Sequence, residues 1–128
     1  MSFSSIFQRN DETVSQTTVP STSSNSQVDT VDVVTDQPIT GLLIPSGYSG
    51  FRILLTVNID ATTDRSETFD LLGTYDGTTW SMSQNSVQNA NSTNIIFTID
   101  SIGQIKYTST PAIPGFVKRT LQWVKQVL

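Results

Sequence analysis

From residue 28 onward, apolar and polar residues of the chain alternate with a period of two in short runs. The clearest run is Phe51–Asp60, whose odd-numbered positions are all apolar and whose even-numbered positions are polar except at Leu54. Because side chains along a β-strand point alternately to opposite faces, this pattern predicts a strand with one buried face. Further strands are predicted at the runs 28–34, 40–44, 68–75, 79–87, 94–99, 104–108 and 116–128.

Turn signals separate the predicted strands. Asp76 and Gly77 form a dipeptide typical of hairpin turns, since Gly adopts a positive φ without steric cost. Pro38 and Pro45 flank the run at 40–44 and are expected to bound that strand, because proline cannot donate to a sheet ladder.

About seven or eight short strands with regular turn signals predict an all-β fold, an antiparallel β-sandwich. The sequence leaves both the jelly-roll and the immunoglobulin-like type open. A helix is the alternative for the C-terminal run, since one helical face would carry Val117, Leu121, Val124 and Leu128. The β-branched residues in that run favour a strand.

Residues 1–27 differ from the rest of the chain and are rich in Ser, Thr, Gln and Asn. Such a segment cannot bury enough apolar surface alone to offset its ordering entropy. We therefore predict two regions, an extended N-terminal arm at 1–27 and a sandwich domain at 28–128. Fully extended, the arm would span up to about 90 Å, which is enough to reach a neighbouring subunit.

Three apolar side chains lie near the start of the arm, Phe3, Ile6 and Phe7. Their spacing would form one short apolar patch, and we predict that they bind a partner protein. The alternative is a disordered tail in which these apolar residues are incidental.

The chain contains no Cys and no His. Disulfides, thiol chemistry and imidazole metal sites are thereby excluded, as is a histidine general base. No spacing supports a Ser-Lys dyad, and no Gly-rich phosphate loop occurs. We expect no catalytic residue, no metal and no cofactor, and hence no enzyme.

Only 14% of the residues are charged, and the net charge is −4. Nucleic-acid binding needs a basic surface, so this composition argues against it. No apolar run approaches the length of about 20 residues that a membrane span requires. The N-terminus lacks a basic segment followed by an apolar one, so we expect synthesis in the cytoplasm without a secretory signal.

Four carboxylates lie around one predicted turn: Asp60, Asp64, Glu67 and Asp70. Their spacing is not that of a calcium loop. A pair acting on a glycosidic bond would need a cleft that a small sandwich rarely offers. We therefore interpret them as a solvated acidic turn.

The basic residues Lys118, Arg119 and Lys125 lie late in the chain, while the N-terminal half is acidic. This asymmetry could bring subunits together through complementary charge. Alternatively, the basic side chains could protect an edge strand against uncontrolled pairing.

Two aromatic residues are candidate exposed contacts. Tyr48 lies in the Gly- and Ser-rich loop 46–50, and Trp80 follows the predicted hairpin turn. Exposed aromatic rings of β-sandwiches can stack on sugars. The other interpretation places Trp80, together with Trp123, in the hydrophobic core.

Three segments resemble strands of small β-sandwich structural proteins of bacteriophage virions. They are TFDLLGTYDGTTWSMSQNS at 68–86, FTIDSIGQIKYTST at 97–110 and TLQWVKQVL at 120–128. The family includes head-decoration, head-fibre and tail-associated proteins. The resemblance is confined to residues 68–128.

The resemblance implies a non-enzymatic structural protein of the virion, a capsid decoration, head-fibre or tail-associated subunit. Its partners would be other capsid or tail proteins, and it would be a homo-oligomer, with a trimer as the expected state. The arm at 1–27 would anchor it. The alternative is a carbohydrate- or receptor-binding module at a tail or fibre tip, with Tyr48 and Trp80 in a groove.

Overall fold

The computed structural model describes residues 25–128, which form eight β-strands and no helix. The strands are β1 (Ser26–Asp29), β2 (Val34–Leu43), β3 (Gly50–Asp60), β4 (Arg65–Tyr75), β5 (Trp80–Gln88), β6 (Ile95–Ile99), β7 (Gln104–Ser109) and β8 (Lys118–Val127). The all-β prediction is confirmed. Within this part of the chain, no helix is long and apolar enough to cross a membrane.

The strands form two sheets, and every pairing is antiparallel. The larger sheet has the order β1-β8-β3-β4-β5, and the smaller has the order β2-β7-β6. Apolar side chains from both sheets form one buried core: Ile39, Leu42, Ile44, Phe51, Ile53, Leu55, Val57, Ile59, Phe69, Leu71, Ile95, Phe97, Ile105, Tyr107, Ile113, Leu121 and Trp123. The assignment of this order to the jelly-roll or immunoglobulin-like type stays a prediction.

Strand β3 lies at the centre of the larger sheet and follows the predicted alternation. Its odd-numbered side chains are buried, and Leu55 lies opposite Phe69 of β4 on one side and Trp123 of β8 on the other. Leu54, the exception in the pattern, is 47% exposed on the outer face. The period-two pattern therefore identified both the strand and its buried face.

The C-terminal run is a strand, so the helical alternative is wrong. β8 lies between β1 and β3 and is paired on both sides. Its basic residues therefore do not protect a sheet edge. Arg119 has no exposed surface and belongs to the core, whereas Lys118 is exposed.

Strand β2 is longer than predicted, because Pro38 does not end it. Pro38 lies opposite Lys106 of β7, between two shifts of the register. β2 is an edge strand, and proline is tolerated at edges and bulges, where no ladder donor is lost. The expectation that Pro38 bounds the strand is therefore wrong.

The predicted boundary between residues 27 and 28 lies inside β1, where Ser26 is already opposite Gln122 of β8. The candidate partner-binding residues Phe3, Ile6 and Phe7 lie outside the described residues. The arm and its role stay predictions.

The interpretation of the acidic residues as a solvated turn is wrong for Glu67. This side chain is buried, and its carboxylate accepts hydrogen bonds from the Thr93 amide at 3.2 Å, the Thr93 hydroxyl at 2.6 Å and the Ser86 hydroxyl at 2.6 Å. Asp70 forms an ion pair with Arg52 at 2.9 Å, and the hydrogen bond from Arg52 lowers the pKa of Asp70. Both carboxylates therefore bind other strands or loops of the sandwich.

Candidate functional site

At one end of the sandwich, a groove of about 290 Å³ lies between the β2–β3 loop, the β6–β7 loop and the adjoining ends of β4 and β5. We call this depression the loop groove. Its lining residues are Ile44, Pro45, Ser46, Gly47, Tyr48, Tyr75, Trp80, Ser101 and Ile102. Residues distant in sequence therefore form one concave surface.

The aromatic side chains of the loop groove extend outward from the core. The ring centroids of Trp80 and Phe51 lie 5.5 Å apart, and those of Trp80 and Tyr75 lie 4.9 Å apart with an interplanar angle of 34°. Phe51 is buried, whereas Trp80 and Tyr75 are half-buried. Trp80 thus packs against the core and also lines the groove.

Tyr48 and Trp80, the two candidate contact residues, both line this groove. Tyr48 is 41% exposed, as its position in a Gly- and Ser-rich loop suggested. Trp80 packs against the core and also borders the groove, so it combines both interpretations given above. Whether either residue contacts a ligand stays a prediction.

The β6–β7 loop approaches Trp80 closely because it contains Gly103. The Ile44 amide donates a hydrogen bond to the Gly103 carbonyl at 2.9 Å. A Cβ atom on Gly103 would lie 2.9 Å from the Ile44 carbonyl oxygen and 3.3 Å from Trp80 Nε1. The φ of Gly103 is +89°, a conformation that side chains disfavour. Glycine is therefore required to close this side of the groove.

An aspartate fixes the β4–β5 loop. Asp76 Oδ1 accepts hydrogen bonds from the backbone amides of Thr78 and Thr79, both at 2.8 Å. These bonds, that of Thr79 first, lower the pKa of Asp76. The loop is consequently held by an ionised side chain.

A second aspartate fixes the β6–β7 loop in the same way. Asp100 Oδ1 accepts from the amides of Ile102 and Gln104, both at 3.0 Å, and Asp100 Oδ2 lies 3.2 Å from the Lys106 ammonium. Desolvation opposes ionisation of Asp100, but the hydrogen bonds from Gln104 and Lys106 outweigh it and lower its pKa. Both loops that flank Trp80 are therefore held by their own side chains.

The loop groove offers aromatic rings, apolar side chains and serine hydroxyls. Asp76 and Asp100 are occupied by backbone amides, so they orient the loops rather than present free carboxylates. Within residues 25–128, no three His, Cys, Asp or Glu side chains are placed to hold a metal ion. The surface suits stacking and hydrogen bonding to a neutral ligand such as a sugar ring.

Of the nine lining residues, sequence reasoning singled out Tyr48 and Trp80. It assigned no contact role to Tyr75 or Ile102. Ile102 is 70% exposed next to Gly103, and an apolar residue inside a turn was the one signal that could have identified it.

No protein-family model and no curated protein matches the sequence. The fold is similar to part of the tailspike protein of Acinetobacter phage vB_ApiP_P1, with a TM-score of 0.51 and 18% sequence identity. The match covers 94% of this chain and 25% of the tailspike, so the chain spans about a quarter of that protein's length. At this identity the likeness shows the fold alone.

Proposed function

We propose that this chain is a non-enzymatic, tail-associated structural protein of a bacteriophage virion. The likeness to a tailspike over 94% of the chain is the observation that carries the proposal. The resemblance of residues 68–128 to virion β-sandwich proteins points to the same class. The tail is preferred to the capsid because the similar solved structure reported above is that of a tailspike.

The proposed anchor is the N-terminal arm, with Phe3, Ile6 and Phe7 in contact with another virion protein. Support comes from the place where the chain joins the sandwich. The Asn25 carbonyl accepts a hydrogen bond from the Trp123 amide at 3.1 Å, and β1 follows as an outer strand of the larger sheet. Asn25, the first residue that the structure describes, therefore lies next to an outer strand of the larger sheet.

The test measures binding of the purified full chain to phage particles assembled without it. We expect the full chain to bind, and we expect both a deletion of residues 1–24 and the triple variant F3S, I6S, F7S to lose binding while remaining folded by circular dichroism. The matched control is S4A, S5A, Q8A, which changes polar residues of the same segment and should bind normally. Failure of the full chain to bind would overturn the virion role, and normal binding by the deletion would overturn the anchor.

A second function, binding of a carbohydrate receptor, is favoured by one observation. Tyr48, Tyr75 and Trp80 line the same groove, beside the hydroxyl of Ser46. Aromatic faces stack on the apolar faces of sugar rings, and hydroxyl groups bind sugar hydroxyls. This role would also suit a module exposed on a phage tail.

A glycan array with the full chain tests this role. We expect Y48A to weaken binding of any recognised glycan about 3- to 10-fold, the loss of one ring contact. W80F keeps an aromatic ring against Phe51 and separates loss of the indole from loss of the fold. V87A, an exposed apolar residue outside the groove, is the control. Absence of any bound glycan, or equal binding by Y48A, would overturn the proposal.

A further inference from the structure

Strand β5 is an outer strand of the larger sheet, and its second edge is regular and unpaired within the part of the chain that the structure describes. Among residues 25–128 its one paired neighbour is β4, and the register runs without a shift from Glu67 opposite Gln88 to Tyr75 opposite Trp80. Its sequence, WSMSQNSVQ, contains neither a charged residue nor a proline. Proteins usually protect such edges with charges, prolines, bulges or covering segments, because free edges pair with other strands.

The other three edge strands of the described chain are each protected. β1 is short, and Gln27 at its edge accepts a hydrogen bond from the Thr40 amide of β2 at 2.8 Å. β2 carries Pro38 and two register shifts. β6 is short, and its Phe97 amide donates to the Gln84 side chain at 2.9 Å. The contrast makes β5 the edge that is open to pairing.

The hydrogen-bond phase of β5 identifies which backbone groups face the free edge. Two backbone hydrogen bonds lie at the ends of the ladder between β4 and β5. The Asn89 amide donates to the Ser66 carbonyl at 3.1 Å, and the Asp76 amide donates to the Thr79 carbonyl at 3.2 Å. Hydrogen-bonded pairs alternate in an antiparallel ladder, so the odd-numbered residues of β5 bond to β4. The even-numbered residues Trp80 to Gln88 direct their amides and carbonyls to the free edge.

We propose that β5 pairs antiparallel with β5 of a second copy, about a two-fold axis at Gln84. This axis places even-numbered residues opposite even-numbered ones, for example Met82 opposite Ser86 of the second copy. Every free-edge amide then meets a free-edge carbonyl, and the two larger sheets become one continuous sheet.

The side chains of β5 support a second copy as the partner. A two-fold contact pairs the strand with an identical strand, so a charged side chain would lie near a like charge of the second copy. β5 carries no charged residue and therefore avoids this repulsion. Odd-numbered side chains also meet odd-numbered ones, so Ser83 lies beside Asn85 of the second copy on the same outer face. Val87, 78% exposed in the single chain, gains a neighbour at this seam.

This pairing does not depend on the proposed virion role, and its test uses no phage particle. It differs from the expected trimer, because identical edges can pair only about a two-fold axis. An assembly built from such pairs has an even number of copies.

The first experiment measures the mass of the full chain by sedimentation from about 1 to about 300 μM, the range of weak specific association. We expect a monomer–dimer equilibrium. Hydrogen exchange followed by NMR should show that the amides of Met82, Gln84 and Ser86 become protected as concentration rises, while those of Ser83 and Asn85 are protected throughout. A monomer at all concentrations, a trimer, or even-numbered amides whose protection does not change with concentration would overturn the proposal.

The second experiment uses charge at the seam. S83K, N85K brings lysines of the two copies together and should raise the dimer Kd at least 10-fold, as should S83E, N85E. Mixed in equal amounts, the two variants should form a heterodimer, because the ammonium introduced at position 83 of one copy then faces the carboxylate introduced at position 85 of the other. The control Q122K, Q126K adds the same charge to exposed positions of β8, an internal strand, and should dimerise normally. Undiminished association of both β5 variants, or no recovery on mixing, would overturn the pairing.

Discussion

At the scale of single residues, the buried Arg119 is the most consequential side chain. Its guanidinium donates hydrogen bonds to the carbonyls of Val31 and Asp32, at 3.2 and 2.8 Å, and to the hydroxyls of Tyr107 and Ser109, at 3.2 and 2.7 Å. Such hydrogen bonds offset the cost of burying a charge, and of the nitrogens of this guanidinium only Nε lacks a partner among the described residues. One side chain thus ties the β1–β2 loop to both sheets.

The Tyr107 hydroxyl, next to this guanidinium, also hydrogen-bonds to the Asp29 carboxylate. Burial, followed by the hydrogen bond to Asp29, raises the pKa of Tyr107. The tyrosine therefore stays protonated and links β7 to β1.

We predict that R119K lowers the free energy of unfolding by about 2–4 kcal/mol. Lysine keeps the charge, but its ammonium cannot reach the four oxygen atoms that the planar guanidinium contacts, and some would be left buried without a donor. Urea unfolding measures the change. The control K118R, at the adjacent exposed position, should change the free energy by less than about 0.5 kcal/mol. Equal stability of R119K and K118R would contradict this account.

The lowered pKa of Asp76 predicts how the stability of the fold changes at acidic pH. A carboxyl group whose folded pKa lies below its ordinary value of 3.8 stabilises the fold above that value, and the contribution is lost as the pH falls through the folded pKa. We therefore expect the Tm difference between wild type and D76N to be largest above pH about 5 and to shrink towards pH about 2. D60N, which removes an exposed carboxylate of β3 outside this loop, shows how much of the change is specific to the turn. A constant difference would contradict the prediction.

Residue roles were harder to predict from the sequence than residue positions. Glu67 and Arg119 belong to types that are usually exposed, and nothing local in the chain distinguishes them from Asp64 or Lys118. Their burial depends on partners 26 and 12 positions away, Thr93 and Tyr107. Only the folded topology brings these partners together.

At the scale of strands, the alternation of β3 was sufficient to place that element and its buried face, whereas β4 begins at Arg65, before the predicted run at 68–75. The pattern was insufficient for β2, where an edge position and register shifts accommodate Pro38. The pattern also did not predict which strands lie beside β8, which pairs with β1 from the opposite end of the chain. Period-two patterns report burial on one face and carry no information on which strand lies alongside.

The contact between β3 and β4 depends on a missing side chain. Phe51 lies opposite Gly73, and a Cβ atom on Gly73 would lie only 2.0 to 2.7 Å from atoms of the Phe51 ring. The ring fills the space above the glycine and reaches Trp80 beyond it. The absence of a side chain at Gly73 therefore lets Phe51 of the core contact Trp80 of the loop groove.

We predict that G73A destabilises the fold by about 2–3 kcal/mol or more, because the Phe51 ring must leave its position in a packed core. The double variant G73A, F51L should recover part of the loss, since leucine vacates the space that the new methyl group needs. The control G77A meets no atom within 4 Å and should cost about 1 kcal/mol, the strain of its positive φ. Thermal unfolding gives both values, and a smaller loss for G73A than for G77A would contradict the packing argument.

At the scale of the whole molecule, the loop groove is a product of topology. Tyr48 and Ile102 lie in separate loops and Tyr75 ends β4, and they meet because β2, β4 and β6 all end on the same side of the sandwich. The sequence indicated that Tyr48 and Trp80 were candidate contacts. It could not indicate that they share one groove, because that requires the order of strands in both sheets.

One core serves both sheets, and this makes a prediction about cooperativity. The smaller sheet contributes Ile39, Leu42 and Ile105 to the same cluster as β3 and β8, so neither sheet can separate without exposing the other's apolar face. The molecule should therefore unfold in a single transition, including the loop groove, because Trp80 packs on Phe51 of that core.

The two tryptophans, Trp123 in the core and Trp80 at the groove, can test whether unfolding is a single transition. W80F leaves Trp123, which is 4% exposed in the core, and W123F leaves Trp80 at the groove. In each variant we expect tryptophan fluorescence and far-ultraviolet circular dichroism to give the same denaturation midpoint, since both probes report one cooperative unit. The contrary result would be a change of Trp80 fluorescence at a lower denaturant concentration than the circular dichroism of the same variant. The groove would then be an independently unfolding region, and Asp76 and Asp100 rather than the core would determine the shape of its loops.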